Sequence, residues 1–177
     1  MRKTIAAAGS AVFFVLAPGV VAGLIPYWLS GWQTRGPALA WQPVRPIGGA
    51  LIVVGVLVLI SAFLRFVREG AGTPAPVAPT ERLVVGGLYR YVRNPMYLAV
   101  LAIIVGQGLA FANPRLLAYA LAVWVAFAAF VKLYEEPTLK RRYGEQYEEY
   151  RRAVRAWWPR LRGWTPHDVD GSQRPSR

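Results

Sequence analysis

Residues 87–100 read GLYRYVRNPMYLAV. Two arginines, three tyrosines and a proline stand directly before a long apolar run. Asn94 is a favoured N-cap residue and Pro95 suits the first helical position, so a helix is predicted to start there. Its free N–H groups and positive dipole end then lie beside Arg90 and Arg93, at the edge of the apolar run. Backbone and guanidinium together make an anion site. A plainer reading has Arg90 and Arg93 snorkelling to lipid phosphates while the tyrosines form an aromatic belt.

The chain on either side decides the class. It has 177 residues, 55% of them hydrophobic, and its apolar residues fall in long runs almost free of charge. That is the pattern of an all-α integral membrane protein. About four transmembrane helices are predicted. Residues 4–34 carry no charge, with an apolar core over about 5–29, and Pro18 within it suggests a kink. Arg2 and Lys3 precede this run as in a signal peptide, but it is too long for an ordinary h-region. Residues 46–64, 95–112 and 116–134 follow, the last carrying one charge, Lys132. The Asn113–Pro114 step joins the third and fourth as an antiparallel hairpin.

The basic residues set the orientation. Two precede the first span, five lie within 65–93 and eleven lie from Lys132 onward, which is 18 of the 21. Both termini are therefore expected in the cytoplasm, with the protein in the cell (inner) membrane. The net charge of +12 belongs to topology and lipid headgroups, and nucleic acid is not an expected partner. The chain has no cysteine, which excludes disulfides, thiolate metal sites and cysteine nucleophiles. Its single histidine, His167, lies in a polar tail, so no metal site is expected.

Residues 1–164 read as one membrane domain. Residues 70–80, rich in Gly, Pro and Ala, form a connector. Residues 138–158 read as an amphipathic helix at the cytoplasmic face, with Tyr143, Tyr147, Tyr150, Val154 and Trp157 on one side. Such a helix lies in the headgroup layer or packs on its own domain. Residues 165–177 have the composition of a disordered tail.

Glu135 and Glu136 stand where the fourth span is expected to end, directly before Pro137. Two carboxylates at a helix C-terminus oppose the dipole, and charge at membrane depth is costly unless paired or functional. The hairpin returns them to the side of Arg93 and Tyr97, giving a pocket with an anion-binding end and a carboxylate end. A zwitterionic ligand suits it; a Glu–Arg ion pair tying two spans together is the simpler alternative. Gly106 and Gly108 flank Gln107 in the third span, where small residues allow close helix packing. Leu83 and Val84 form a short strand-like segment or an entrance loop.

Taken together, LVVGGLYRYVRNPMY (83–97), the Asn113–Pro114 step and YEEPTLKRRYGEQYEEYRRAVRAWWPRL (134–161) resemble the isoprenylcysteine carboxyl methyltransferase family, which is related to the membrane phospholipid N-methyltransferases. The resemblance covers about residues 81–161. It implies S-adenosylmethionine as cofactor, with contacts from Leu83, Val84, Tyr89, Asn94, Pro95, Met96, Tyr97 and Glu135, and with Glu136 completing the acidic pair. Gly106 and Gly108 match a glycine–x–glycine that serves the cofactor in the phospholipid enzymes. Asn94 stands where the family usually has histidine, so it caps and donates but cannot titrate. Arg82 lies where the match weakens.

The expected activity is methylation of a carboxylate, thiol or amine on a lipophilic or small acceptor. Arg93 and Glu135 are the candidate catalytic residues, Arg93 as a fork for a carboxylate. Oligomeric state is open. Two other readings stand beside this one: a sterol-reductase-like membrane enzyme using NADPH, and a small non-catalytic membrane protein in which the same charges merely pair.

Overall fold

The computed structural model describes residues 16–34, 42–70 and 83–165. The start of the first apolar run, the 71–82 connector with Arg82, and the 166–177 tail lie outside the described residues. Among the described residues all regular secondary structure is helical, without strands. In order these are α1 (Leu16–Ser30), α2 (Arg45–Gly70), a 3-10 turn (Gly87–Arg90), α3 (Pro95–Ala110), α4 (Pro114–Tyr143) and α5 (Glu145–Ala153). Leu83 and Val84, read as a strand-like segment or an entrance loop, have no regular secondary structure.

Two helical stretches, Arg45–Arg65 and Pro114–Tyr143, are long and apolar enough to cross a membrane. α3 and the described part of α1 are apolar but shorter, about 24 and 22 Å at 1.5 Å per residue. Val53, Val54, Leu57, Ile60 and Leu64 of α2 are all exposed, an outward apolar face consistent with a membrane-spanning helix.

α2 and α3 pack antiparallel through glycines. A Cβ on Gly48 would lie 2.5 Å from Ala110 N, and one on Gly106 would lie 2.7 Å from Gly48 O. One on Gly55 would meet Ala99 O at 2.9 Å. The backbones approach as small residues alone permit. At the same end, Arg45 Nε donates to Ala110 O (3.2 Å), placing a cation on the C-terminus of α3. Gly106→Ala should therefore cost about 1–3 kcal/mol, the range for overpacking. Thermal unfolding in detergent measures it; an unchanged midpoint would show that the backbones are not in contact there.

The expected α3–α4 hairpin is present. Ala112 N–H bonds Leu109 O and Asn113 N–H bonds Gly108 O, a Schellman pattern with Ala112 in the left-handed position (φ 50°). Asn113 then caps α4 by accepting from Arg115 N (3.1 Å).

α1 breaks at Pro26; the kink expected at Pro18 falls on the turn preceding it, which begins before Leu16, outside the described residues. Val20–Leu24 forms a π-helical turn in which Ile25 N–H reaches Val20 O. Pro26 has no N–H, so the carbonyls of Val21 and Ala22 lose their helical donors. Tyr119 OH donates to Val21 O (3.0 Å) and Gln107 Nε2 to Ala22 O (2.6 Å). Trp32 Nε1 in turn donates to Gln107 Oε1 (3.2 Å). Freed backbone groups in an apolar bundle need such partners, and these bonds pin α1 against α3 and α4.

Candidate functional site

The site forms at the Pro95 end of the bundle, where Pro137 shapes α4. The sequence suggests that the helix stops there; instead it continues. Glu136 is αR (φ −58°, ψ −47°), and its N–H reaches back five residues to Val131 O, closing a π-helical turn over Val131–Glu135. A π turn absorbs the hydrogen bond that proline cannot make. The two carboxylates thus lie within a continuous helix and not at a C-terminus, so the expected opposition to the dipole does not arise.

Each carboxylate has its own partner. Tyr97 OH donates to Glu135 Oε2 (3.0 Å). Arg93 Nη1 pairs with Glu136 Oε1 (2.9 Å) and also donates to Tyr147 OH (2.9 Å). Arg151 Nη2 lies 3.3 Å from Glu136 Oε2. The anion-binding end and the carboxylate end are therefore in direct contact. The simple ion-pair alternative describes Glu136; Glu135 binds a neutral hydroxyl.

Pro137→Ala supplies the missing N–H and lets the α-helical register return. The part of α4 beyond the π turn, Glu136–Tyr143, then turns by about one residue, roughly 100°, carrying Glu136 away from Arg93. In that background Glu136→Gln is expected to have little further effect on the unfolding midpoint. Undiminished sensitivity would contradict a role for the π turn.

α3 starts at Pro95 with Asn94 in the N-cap position, as expected, but the Asn94 side chain caps nothing. It is 93% buried, and its Nδ2 has no partner among the described residues. The same holds for Arg93 Nε. Buried N–H groups are nearly always paired. Asn113 Nδ2, at the head of α4, is likewise unpaired among the described residues. What sets Arg93 Nε and Asn94 Nδ2 apart is that they belong to neighbouring residues at the end of the bundle that holds Glu135.

The remaining expected residues divide. Val84 and Tyr89 are buried with Ala62, and Met96 packs against them, on the flank of the same site. Leu83 packs instead on a cluster of Tyr147, Tyr150, Val154 and Trp164. Gly106 and Gly108 lie about 16–20 Å along α3 from Pro95 and serve helix contacts; a Cβ on Gly108 would lie 2.6 Å from Leu117 Cδ2.

The amphipathic helix expected over 138–158 is two helices. Gly144 (φ 54°, ψ −127°) breaks it, and the chain is non-helical from Val154. Its aromatic face packs on its own domain. Tyr150 OH donates to Tyr89 O (2.6 Å), and the segment after α5 is strapped to residues 90–93. Arg93 N bonds Arg155 O (3.0 Å), Arg160 N bonds Tyr91 O (2.9 Å) and Trp164 N bonds Arg90 O (2.9 Å). Arg90 Nε adds a bond to Trp164 O (2.9 Å). Burial pushes the Tyr147 hydroxyl up to about 12 against the pull of Arg93. Burial likewise lifts Tyr150 and Tyr89. These phenols stay protonated near neutral pH and act as hydrogen-bonding groups.

Four contributors were not singled out as site residues from sequence. Tyr147 and Arg151 hold Arg93 and Glu136, while Phe127 and Trp157 lie beside Tyr97, with ring centroids at 4.7 and 6.4 Å. The Gly144-x-x-Tyr147 spacing was the available signal for Tyr147; no local pattern marks the other three.

A model of the phospholipid methyltransferase family matches residues 44–146, more than half of the chain; the match takes in the site from Leu83 to Glu136 and stops before Tyr147, Arg151 and the C-terminal strap. The chain belongs to the phospholipid methyltransferase family. It is 39% identical over 75 residues to protein-S-isoprenylcysteine O-methyltransferase B of Arabidopsis thaliana, covering 42% of this chain and 38% of the relative. It is 34% identical over 80 residues to a probable protein-S-isoprenylcysteine O-methyltransferase of Oryza sativa subsp. indica, covering 45% and 41%. The chain thus spans about two fifths of the length of these curated relatives. Membership of the phospholipid methyltransferase family agrees with the resemblance to the isoprenylcysteine carboxyl methyltransferases, and the matched range spans Arg93 and Glu135.

Proposed function

We propose that the chain is an integral-membrane methyltransferase using S-adenosylmethionine, with four spans and both termini on the cytoplasmic side. The observation that carries this reading is the pair of buried donors, Arg93 Nε and Asn94 Nδ2, unpartnered among the described residues, on the same side of the bundle as a carboxylate, Glu135, that forms no ion pair among the described residues. A zwitterionic amino-acid moiety fits that donor set. Arg93, Asn94 and the N-terminus of α3 take its carboxylate, and Glu135 faces its ammonium group. Val84, Tyr89, Pro95 and Met96 form the surrounding wall. Gly106 and Gly108 act in this reading through packing, at a distance from the ligand.

The cofactor supplies a methyl group on a sulfonium, already a good leaving group. The protein's task is then alignment and exclusion of water. Glu136 and Tyr147 hold the Arg93 guanidinium in one orientation. Tyr97 holds Glu135. The Tyr97, Phe127 and Trp157 rings form an apolar wall suited to a lipophilic acceptor. Transfer to a carboxylate oxygen releases no proton, so an acceptor of that class needs no general base; a thiol or amine acceptor is the other class compatible with the site.

Purified protein in nanodiscs is expected to bind S-adenosylmethionine saturably, with NADPH failing to compete, and to transfer labelled methyl to an S-prenylated cysteine. Binding of NADPH alone would favour the reductase reading. Binding of neither would leave the charges merely structural.

A further inference from the structure

The strap after α5 has a second face that the site does not use. Trp158 is 73% exposed and Leu161 fully exposed, yet neither sits on a loose end. The backbone bonds of Arg155, Arg160 and Trp164 to residues 90–93, with Arg160 Nη1 on Ala153 O (2.7 Å), hold the segment in place. Its height is fixed by Trp157, whose ring centroid lies 6.4 Å from those of both Tyr97 and Trp124. Tyr97 stands at the start of α3 and Trp124 in the apolar middle of α4, so the strap sits level with the start of α3 and beside apolar helix surface. Arg155 and Arg162 are exposed and form no ion pair among the described residues.

We propose that residues 155–163 form a membrane-dipping loop, inserting Trp158 and Leu161 into the leaflet at the Pro95 end while Arg155 and Arg162 meet anionic lipid phosphates. Tryptophan is favoured at the headgroup boundary, and apolar side chains flanked by arginines match an anionic leaflet in both hydrophobicity and charge. Because Arg155 O holds the Arg93 backbone, the loop ties the floor of the site to the bilayer surface. The inference rests on the membrane reading of α2 and α4 but not on the chemistry of the site.

The absence of cysteine makes the test direct. Single variants Leu161→Cys, Trp158→Cys, Arg152→Cys on exposed α5 and Leu57→Cys on the outer face of α2 carry an environment-sensitive fluorophore. Each is placed in nanodiscs of phosphatidylcholine with phosphatidylglycerol. Labels at 161 and 158 are expected to be quenched several-fold more by nitroxide lipid than the label at 152, and to be shielded from iodide. Adding Arg155→Glu and Arg162→Glu should reduce that quenching in the mixed lipid and change it little in phosphatidylcholine alone. Iodide access at 161 equal to that at 152, with 57 shielded, overturns the loop. So does disulfide linkage between copies at 161 without nitroxide quenching, which makes a second copy the occupant. Exposure of 57 itself would instead overturn the membrane reading.

Discussion

Arg93→Lys is expected to insert and fold normally but to lose about 100-fold in kcat/KM for methyl transfer, roughly 3 kcal/mol of transition-state stabilisation. Arg93 uses one nitrogen, Nη1, for both Glu136 and Tyr147, which leaves Nε buried and unpaired. A lysine ammonium can replace the contact to Glu136, keeping the helices tied. Its three N–H groups radiate from one rotating nitrogen and cannot at the same time present the planar, fixed N–H geometry of a guanidinium to a ligand carboxylate. Arg90→Lys should be milder, because Arg90 Nε serves only the strap through Trp164 O, a bond worth about 1 kcal/mol. Steady-state rates of both variants, beside their unfolding midpoints, check this. Equal and near-native turnover would return the arginines to a role as membrane anchors.

The neighbouring glutamates are expected to separate binding from stability. Glu135→Gln keeps an oxygen for Tyr97 OH, so stability without ligand should hardly move. Affinity for S-adenosylmethionine should fall by about 1–3 kcal/mol, the scale of a lost charge-assisted hydrogen bond. Glu136→Gln removes the negative partner of Arg93 and Arg151 together. Unpairing a buried charge costs roughly 3–5 kcal/mol; with Arg151 44% exposed, about 2–3 kcal/mol is the fitting figure. Thermal unfolding without ligand and equilibrium binding on the folded fraction read the two effects separately. If Glu135→Gln lowers the midpoint as much as Glu136→Gln and leaves affinity intact, both residues are structural.

Much of this was legible in the chain because bilayer-scale features are local. The apolar runs give the helices, Pro95 gives the start of α3, and Asn113–Pro114 gives the hairpin. Gly106 and Gly108 were read both as packing residues and as a cofactor motif, and the backbone approach of Gly48 explains the first. Pro137 was misleading for a physical reason. A proline ends a helix unless a π turn takes up the lost bond, and whether it does depends on what Glu135 and Glu136 meet across the bundle. The break at Gly144 was hidden beneath a continuous aromatic pattern, because Tyr147 and Tyr150 keep helical spacing on the far side of it. Asn94 looked like a cap from its type alone. Its backbone angles (φ −118°, ψ 56°) accompany a side chain that caps nothing. Tyr147 and Arg151 reach residues 54 and 15 positions away, a relation that local spacing does not encode.

The central claim is that Arg93 and Asn94 grip the carboxylate of the methyl donor. The most direct measurement is the ratio of dissociation constants for S-adenosylmethionine and its decarboxylated analogue, on the native protein and on Arg93→Lys in the same nanodiscs. The account predicts that the native protein prefers the intact cofactor by about 30-fold or more, on the order of 2 kcal/mol for a bidentate charge-assisted contact, and that Arg93→Lys brings the ratio near one. A native ratio already near one, or a large ratio that survives Arg93→Lys, would contradict it.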